Sequence, residues 1–361
     1  MTNLDDDRLE RIAFQLLSSR NSRARQRVIQ NNIDLAEIPR LSVKILESLG
    51  FSREEILTIK SRYLQSAEQE IKKAGECGID MVFKEDEFYP DLLGEIFDPP
   101  AFIYTLGDKN TLKNLKIAVV GSRRPSAYGW YCLSQIVPDL CRAGLTIVSG
   151  MAYGIDSMSH RLAVREHGRT IGVNPGGLLH LYPPGNQSLI DEIAANGCII
   201  GEFPLDLIPR PAYFPIRNRL ISGMARAVLV VEAAMRSGSL ITARLALEQN
   251  RDVMAVPGRI DSPLSRGTHY LIQQGARLVA SAGDILPEFG LAIPGSKNPE
   301  YIDISKKEKK VLDLIPVNEL KDIDYFVENL DFSVSEIISL LMGLMLKNMV
   351  IEEAGGYRRM K

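Results

Sequence analysis

The chain has 361 residues, 45% apolar and 24% charged, which excludes a disordered polymer and fits two or three folded domains. Its net charge of −2 is unevenly spread: residues 116–290 hold 17 basic against 13 acidic side chains, and all but one of those cations are arginine. The acidic start shows no secretory pattern and the longest apolar run, 337–346, falls far short of the ~20 residues of a membrane span, so a cytoplasmic protein without membrane contact is expected.

Residues 1–75 carry helical periodicity, with Leu9, Ile12, Phe14, Leu16 and Leu17 in a first segment and Leu41, Ile45, Leu46 and Leu49 in another closed by Gly50. A third segment runs from Arg53 towards Lys73. They read as a small helical module of the sterile-alpha-motif or helix-hairpin-helix kind. The glycine turn of a DNA-binding hairpin is not evident, which favours a structural role. Residues 76–115 alternate short extended pieces with Tyr89-Pro90, Asp98-Pro99-Pro100 and Leu106-Gly107-Asp108, a lead-in to the main domain.

From 116 to 290 apolar strands alternate with helices, the pattern of a parallel sheet covered on both faces. Strands are predicted at 117–120, 146–148, 170–173, 198–201, 227–231, 253–256 and 277–279, and helices near 126–143, 155–166, 188–195, 218–224, 239–248 and 267–274. The fold class is α/β: a Rossmann-like, doubly wound, mostly parallel sheet whose ligand edge lies at the carboxyl ends of the strands. Residues 291–300, with Pro294-Gly295 and Asn298-Pro299, read as a linker. Helices at 306–315, 323–329 and 335–347, then a glycine-turn hairpin, make a winged helix over 301–361. Its third helix is rich in Ile, Leu and Met, which suits core packing or a protein partner, and leaves Arg358, Arg359 and Lys361 on the wing as its DNA-facing option.

Cys77, Cys132, Cys141 and Cys198 form no CxxC pair and are expected as reduced core thiols, and His160, His167, His180 and His269 lack metal-ligand spacing and are expected on helix surfaces or loops. No metal or cofactor is expected. Gly121 to Gly129 also lacks the spacing of a dinucleotide fingerprint.

Three turns have the chemistry of a phosphate site. Gly121-Ser122-Arg123-Arg124 follows the first strand, Ser149-Gly150 opens a glycine-rich turn reaching Asp156, and Arg236-Ser237-Gly238-Ser239 starts a helix after the strand at 227–231. Arg217, Asn218 and Arg219 are read as opening a further helix. Free N–H groups at helix starts, glycines that admit close approach and forked guanidinium groups together suit an anion.

These segments, with Phe214-Pro-Ile-Arg-Asn-Arg-Leu-Ile-Ser-Gly223, Ser237-Gly-Ser-Leu-Ile-Thr-Ala243 and Pro257-Gly258-Arg259, resemble the DNA-processing protein A (DprA/Smf) family over nearly the whole chain. The resemblance implies a non-catalytic protein that binds single-stranded DNA, helps load the RecA recombinase in natural transformation and recombination, and forms a homodimer through the Rossmann-like domain. It implies phosphate contacts at Gly121, Ser122, Arg123, Arg217, Asn218, Arg219, Arg236, Ser237, Gly238 and Ser239, and makes charge at Arg169 plausible. Ser149 and Gly150 join them through their turn, and Tyr213 and Phe214 are candidate base-stacking platforms, with core packing the competing use of Phe214. Leu179 stands where the family usually has an acid, and His269 where asparagine is usual.

An enzyme of the same broad fold is the rival reading. Asn174-Pro175-Gly176-Gly177 is similar to the phosphoribohydrolases that cleave nucleotide N-glycosidic bonds, but Leu178-Leu179-His180 follows where those enzymes need Gly-Thr. Glu202 and Glu232 are its remaining candidate acids, and both read as structural.

Overall fold

Strands apolar on both faces must be covered above and below, and the fold follows from that requirement. A computed structural model describes residues 2–19, 21–292, 305–316, 320–346, 349–353 and 356–359. Its residues up to 294 form one compact unit, and those from 295 a second. The expected linker lies, from residue 293, outside the described residues.

The first unit begins with helices α1 (Thr2–Ser18), α2 (Ser22–Gln30), α3 (Val43–Leu49) and α4 (Arg53–Glu76). Ser52 and Glu55 form a capping box at the start of α4. A glycine turn does join two of these helices: Gly50, at φ 97°, closes α3 in the left-handed region three residues before α4. Read in sequence only as the end of one helix, it also turns the chain into the next. Glu54 and Glu55 occupy the first turn that follows, charges that disfavour a phosphate there. Ile12, Leu46 and Ile59 pack in one core with Phe102, Tyr104 and Leu205 of the sheet region, so the helices share the sheet's hydrophobic interior.

The sheet comprises β1 (Asp80–Phe83), β2 (Phe102–Gly107), β3 (Lys116–Val120), β4 (Thr146–Ser149), β5 (Thr170–Val173), β6 (Gly197–Gly201), β7 (Ala227–Val230), β8 (Asp252–Ala255) and β9 (Arg277–Leu278). The order is β1-β2-β6-β5-β4-β3-β7-β8-β9. Pairing is parallel from β6 to β9, as the alternation predicts. β1 and β2, from the segment read as a lead-in, add two antiparallel strands at the edge.

Helix α5 (Asp91–Gly94) lies between β1 and β2, and α6 (Ala127–Arg142), α7 (Ile155–Arg165), α8 (Gln187–Asn196), α9 (Tyr213–Gly223), α10 (Gly238–Glu248) and α11 (Arg266–Gln273) connect the later strands. The chain winds outward from β3 to β6, then returns through α9 to place β7 on the other side of β3. That reversal opens a crevice at the carboxyl ends of β3 and β7.

Two expectations are corrected here. His160 is fully buried rather than on a surface: its Nδ1 lies 2.6 Å from Thr170 Oγ1, whose proton goes to Ile147 O, so Nδ1 donates. Cys77 is exposed, whereas Cys132, Cys141 and Cys198 are buried, and all four thiols are free.

The second unit contains α12 (Lys306–Asp313), α13 (Ile323–Asn329), α14 (Val334–Leu346) and a hairpin of β10 (Val350–Glu353) with β11 (Gly356–Arg359), a winged-helix arrangement. Ile337, Leu341 and Leu344 of α14 supply its core with Val311, Phe326 and Tyr357. Lys347 and Lys361 lie outside the described residues. Among the described residues no helix is long and apolar enough to cross a membrane.

Candidate nucleic-acid interface

An open cleft of about 690 Å³ occupies the crevice between β3 and β7. Gly121, Ser122 and Arg123 come to it from the end of β3, Arg236, Ser237, Gly238 and Ser239 from the start of α10, and Phe214, Arg217 and Asn218 from α9. Gly121 must be glycine because Ile155 fills the space a side chain would take, at 2.7 Å from its ideal Cβ position. That close packing sets the turn at the cleft edge. Thus nine of the sequence-predicted phosphate residues line one cavity, along with Phe214.

The electrostatics of the two ends of the sheet differ. At the amino-terminal end of the strands, Arg142 pairs with Asp139 and Glu166, Arg169 with Asp108, Arg251 with Glu95 and Arg277 with Glu288, while Arg165 and Arg226 have no ion pair among the described residues and Arg226 lies over the Phe289 ring. At the carboxyl end, Arg123, Arg124, Arg210, Arg217, Arg236 and Arg266 have no carboxylate within ion-pair distance among the described residues. Five of the six helices that start there, α6, α8, α9, α10 and α11, lack an acid in the first turn. A first-turn acid is worth about 0.3–1 kcal/mol, a gain forgone five times on one rim. Arg259 on the loop after β8 pairs with Asp261, but the other six arginines carry no such pairing among the described residues, which leaves the rim electropositive.

Asp156 is the exception, and it sits beneath the arginines. Burial raises its carboxyl to about 6, although Arg217 pulls the other way. Burial also lowers Arg217 to about 10 while Asp156 opposes the shift. Arg217 donates from Nη1 to Gly150 O at 2.8 Å and to Val173 O, so its guanidinium is fixed across the ends of β4 and β5. Burial and the nearby Arg217 charge push His160, behind them, down to about 3, keeping its imidazole neutral.

Phe214 is a wall of the cleft rather than a core residue. Its ring meets Tyr182 edge-on at 4.9 Å between centroids, and the Arg123 guanidinium lies 5.1 Å from its centroid. An aromatic face held beside two arginines is a surface on which a base can stack.

The remaining candidates stand elsewhere. Arg217 and Arg219 do not open a helix, since α9 begins at Tyr213 and its free N–H groups precede them. Arg219 points away from the cleft into a buried ionic cluster with Glu202 and Asp98, which Arg25 of α2 completes. Arg169 lies at the opposite end of the sheet beside Asp108. Ser149 is buried and donates to Val119 O at 2.6 Å. Gly150 lies under Arg217, and Tyr213 packs on buried Phe203 with centroids 5.2 Å apart. Sequence reading placed Asp156 only at the end of its glycine turn and missed Tyr182, Pro209 and Pro211 as lining residues; the run Pro209-Arg210-Pro211, stiff and basic, was the available signal.

The residues of the rival chemistry are occupied. Asn174 donates to Gly176 O and Gly177 O at 3.0 Å each and accepts from Tyr182 N, bracing its own loop. Glu232 accepts from Ser126 N and Oγ at the start of α6, and Glu202 belongs to the ionic cluster. Neither acid lines the cleft.

Residues 80–290 match the family described as DNA recombination-mediator protein A, and the chain belongs to that family. It is 45% identical over 214 residues to the DNA processing protein DprA of Bacillus subtilis, covering 59% of this chain and 72% of that one. It is 34% identical over 336 residues to Protein Smf of Escherichia coli, covering 91% and 90%. The X-ray structure of DNA processing protein A from Streptococcus pneumoniae superposes with a TM-score of 0.65 at 36% identity, over 77% of this chain and 97% of that one. A structure of the Helicobacter pylori protein, described as showing a single-stranded DNA binding mode, superposes with a TM-score of 0.53 at 30% identity, over 58% and 95%.

Proposed function

We propose that this member of the recombination-mediator family binds single-stranded DNA without sequence preference and helps load the RecA recombinase on it in natural transformation and recombination. One observation carries the reading: six arginines without a carboxylate partner and five acid-free helix starts gather on the carboxyl rim, while Arg142, Arg169, Arg251 and Arg277 on the other rim are paired with acids and only Arg165 and Arg226 there are not, among the described residues. A single strand exposes phosphates and bases together, so this rim grips the backbone while Phe214 offers a ring to a base.

In this reading Gly121, Ser122, Arg123, Arg217, Asn218, Arg236, Ser237, Gly238 and Ser239 contact phosphate. The protein acts by binding, not catalysis. A homodimer through the Rossmann-like region places two such clefts on one strand and multiplies a modest affinity. The helices of 1–75 serve structure, and the winged helix of 301–361, whose third helix is spent on its core, meets a protein rather than DNA.

The test is an anisotropy titration of labelled single strand and duplex, beside incubation with free nucleotides. Binding of the single strand with no release of base supports the reading. Base release without strand binding would favour the N-glycosidase.

A further inference from the structure

The surface beside the cleft continues across the first turn of α6 and the loop joining β8 to α11. Leu264 forms part of the cleft wall, and two residues later Arg266 opens α11, exposed and without a carboxylate partner among the described residues. Tyr128 of α6 is fastened to the same loop: its hydroxyl donates to Pro257 O at 2.8 Å. Its ring edge lies 3.8 Å from the ideal Cβ position of Gly258, and the residue is 42% exposed. A side chain at 258 would collide with Ser265 Oγ, so nothing from that position covers the ring. Arg124, next to the cleft residue Arg123, is exposed and equally unpaired.

Each feature is unfavourable by itself. An open aromatic ring leaves apolar surface in water, and a cation at the start of α11 opposes the helix dipole. Both costs are offset if a polyanion carrying flat bases lies across them.

We infer that a single strand held in the cleft continues over Arg124, Tyr128 and Arg266, with a base stacked on the Tyr128 ring. This inference rests on the single-strand reading above and lengthens its footprint on the α6–α11 side. A strand too short to leave the cleft gains nothing from these residues.

The test measures affinity of the full chain for oligothymidylates of about 6 and about 20 nucleotides. Tyr128→Ala and Arg266→Gln are expected to weaken the long oligomer about tenfold each and leave the short one within about twofold. Tyr128→Phe, which loses the loop hydrogen bond but keeps the ring, is expected to bind as the unsubstituted protein does. Equal loss on both lengths, loss on neither, or a phenylalanine variant as weak as the alanine one overturns the inference. If the unsubstituted protein binds neither oligomer, the cleft reading falls and this extension with it.

Discussion

Arg217 and Asp156 face one another across Gly150, whose missing side chain leaves room for both: a Cβ there would stand 2.7 Å from Nη2 of the arginine and 2.7 Å from Oδ2 of the aspartate. Both groups are buried, so neither can swing out to relieve such a contact. Gly150→Ala is therefore expected to displace the guanidinium from Gly150 O and Val173 O. Overpacking of this kind costs about 1–3 kcal/mol. The outcome should be a lower urea midpoint together with weaker single-strand binding. Unchanged binding in a folded variant would show that the Arg217 position does not matter to the ligand.

The same pair sets a pH dependence. The folded-state pKa of Asp156, about 6, lies above its ordinary value of 3.8, so the native state favours the neutral acid. The resulting stabilisation is full below about pH 4 and is lost as pH rises through about 6. The melting temperature of the unsubstituted protein minus that of Asp156→Asn should therefore rise as the pH falls from about 7 to about 4. Oligonucleotide affinity should rise over the same window in the unsubstituted protein, because protonation removes a negative charge beneath Arg217, and stay flatter in the variant. A melting-temperature difference independent of pH would contradict the assigned burial effect.

The contrast between the two rims gives a matched control. Arg123→Ala and Arg236→Ala should each weaken single-strand binding about tenfold and flatten the log–log salt slope by about 0.7 per lost phosphate contact. Arg169→Ala, at the other end of the sheet beside Asp108, should leave both quantities unchanged. Titrations at two salt concentrations read both effects. Equal loss in all three variants would mean that net charge, and not the rim, attracts the strand.

Arg219 offers a separation of stability from binding. With Arg25 it holds Glu202 and Asp98 in a cluster linking α2, the end of β6 and α9. Removing one partner of a buried ionic cluster costs about 3–5 kcal/mol. Arg25→Met should lower stability by that order in urea unfolding while the folded protein keeps its oligonucleotide affinity. A variant as stable as the parent would remove the cluster's structural role.

Much of this arrangement is legible in sequence because its causes are local. The central strands are apolar on both faces, and turns such as Gly121-Ser122-Arg123 advertise close approach and charge at strand ends. Other features depend on partners distant in the chain. Arg217 and Arg219 are two residues apart, about 200° around a helix, so one meets the cleft and the other Glu202. No periodicity distinguishes them, since both are buried and both charged. β1 and β2 are short, separated by a segment carrying Pro90, Pro99 and Pro100, and gain strand identity only by pairing at the edge beside β6. His160 looks like a helix-surface residue until Thr170 is brought against it.

The central claim is a location, and photocrosslinking tests it most directly. A thymidine oligomer irradiated with the full chain and digested for peptide mapping should crosslink to the peptides carrying Phe214 and Tyr182. Arg123→Ala/Arg236→Ala should lose those adducts. Adducts confined to the winged helix, or to the end of the sheet that carries Arg169 and Arg277, would contradict it.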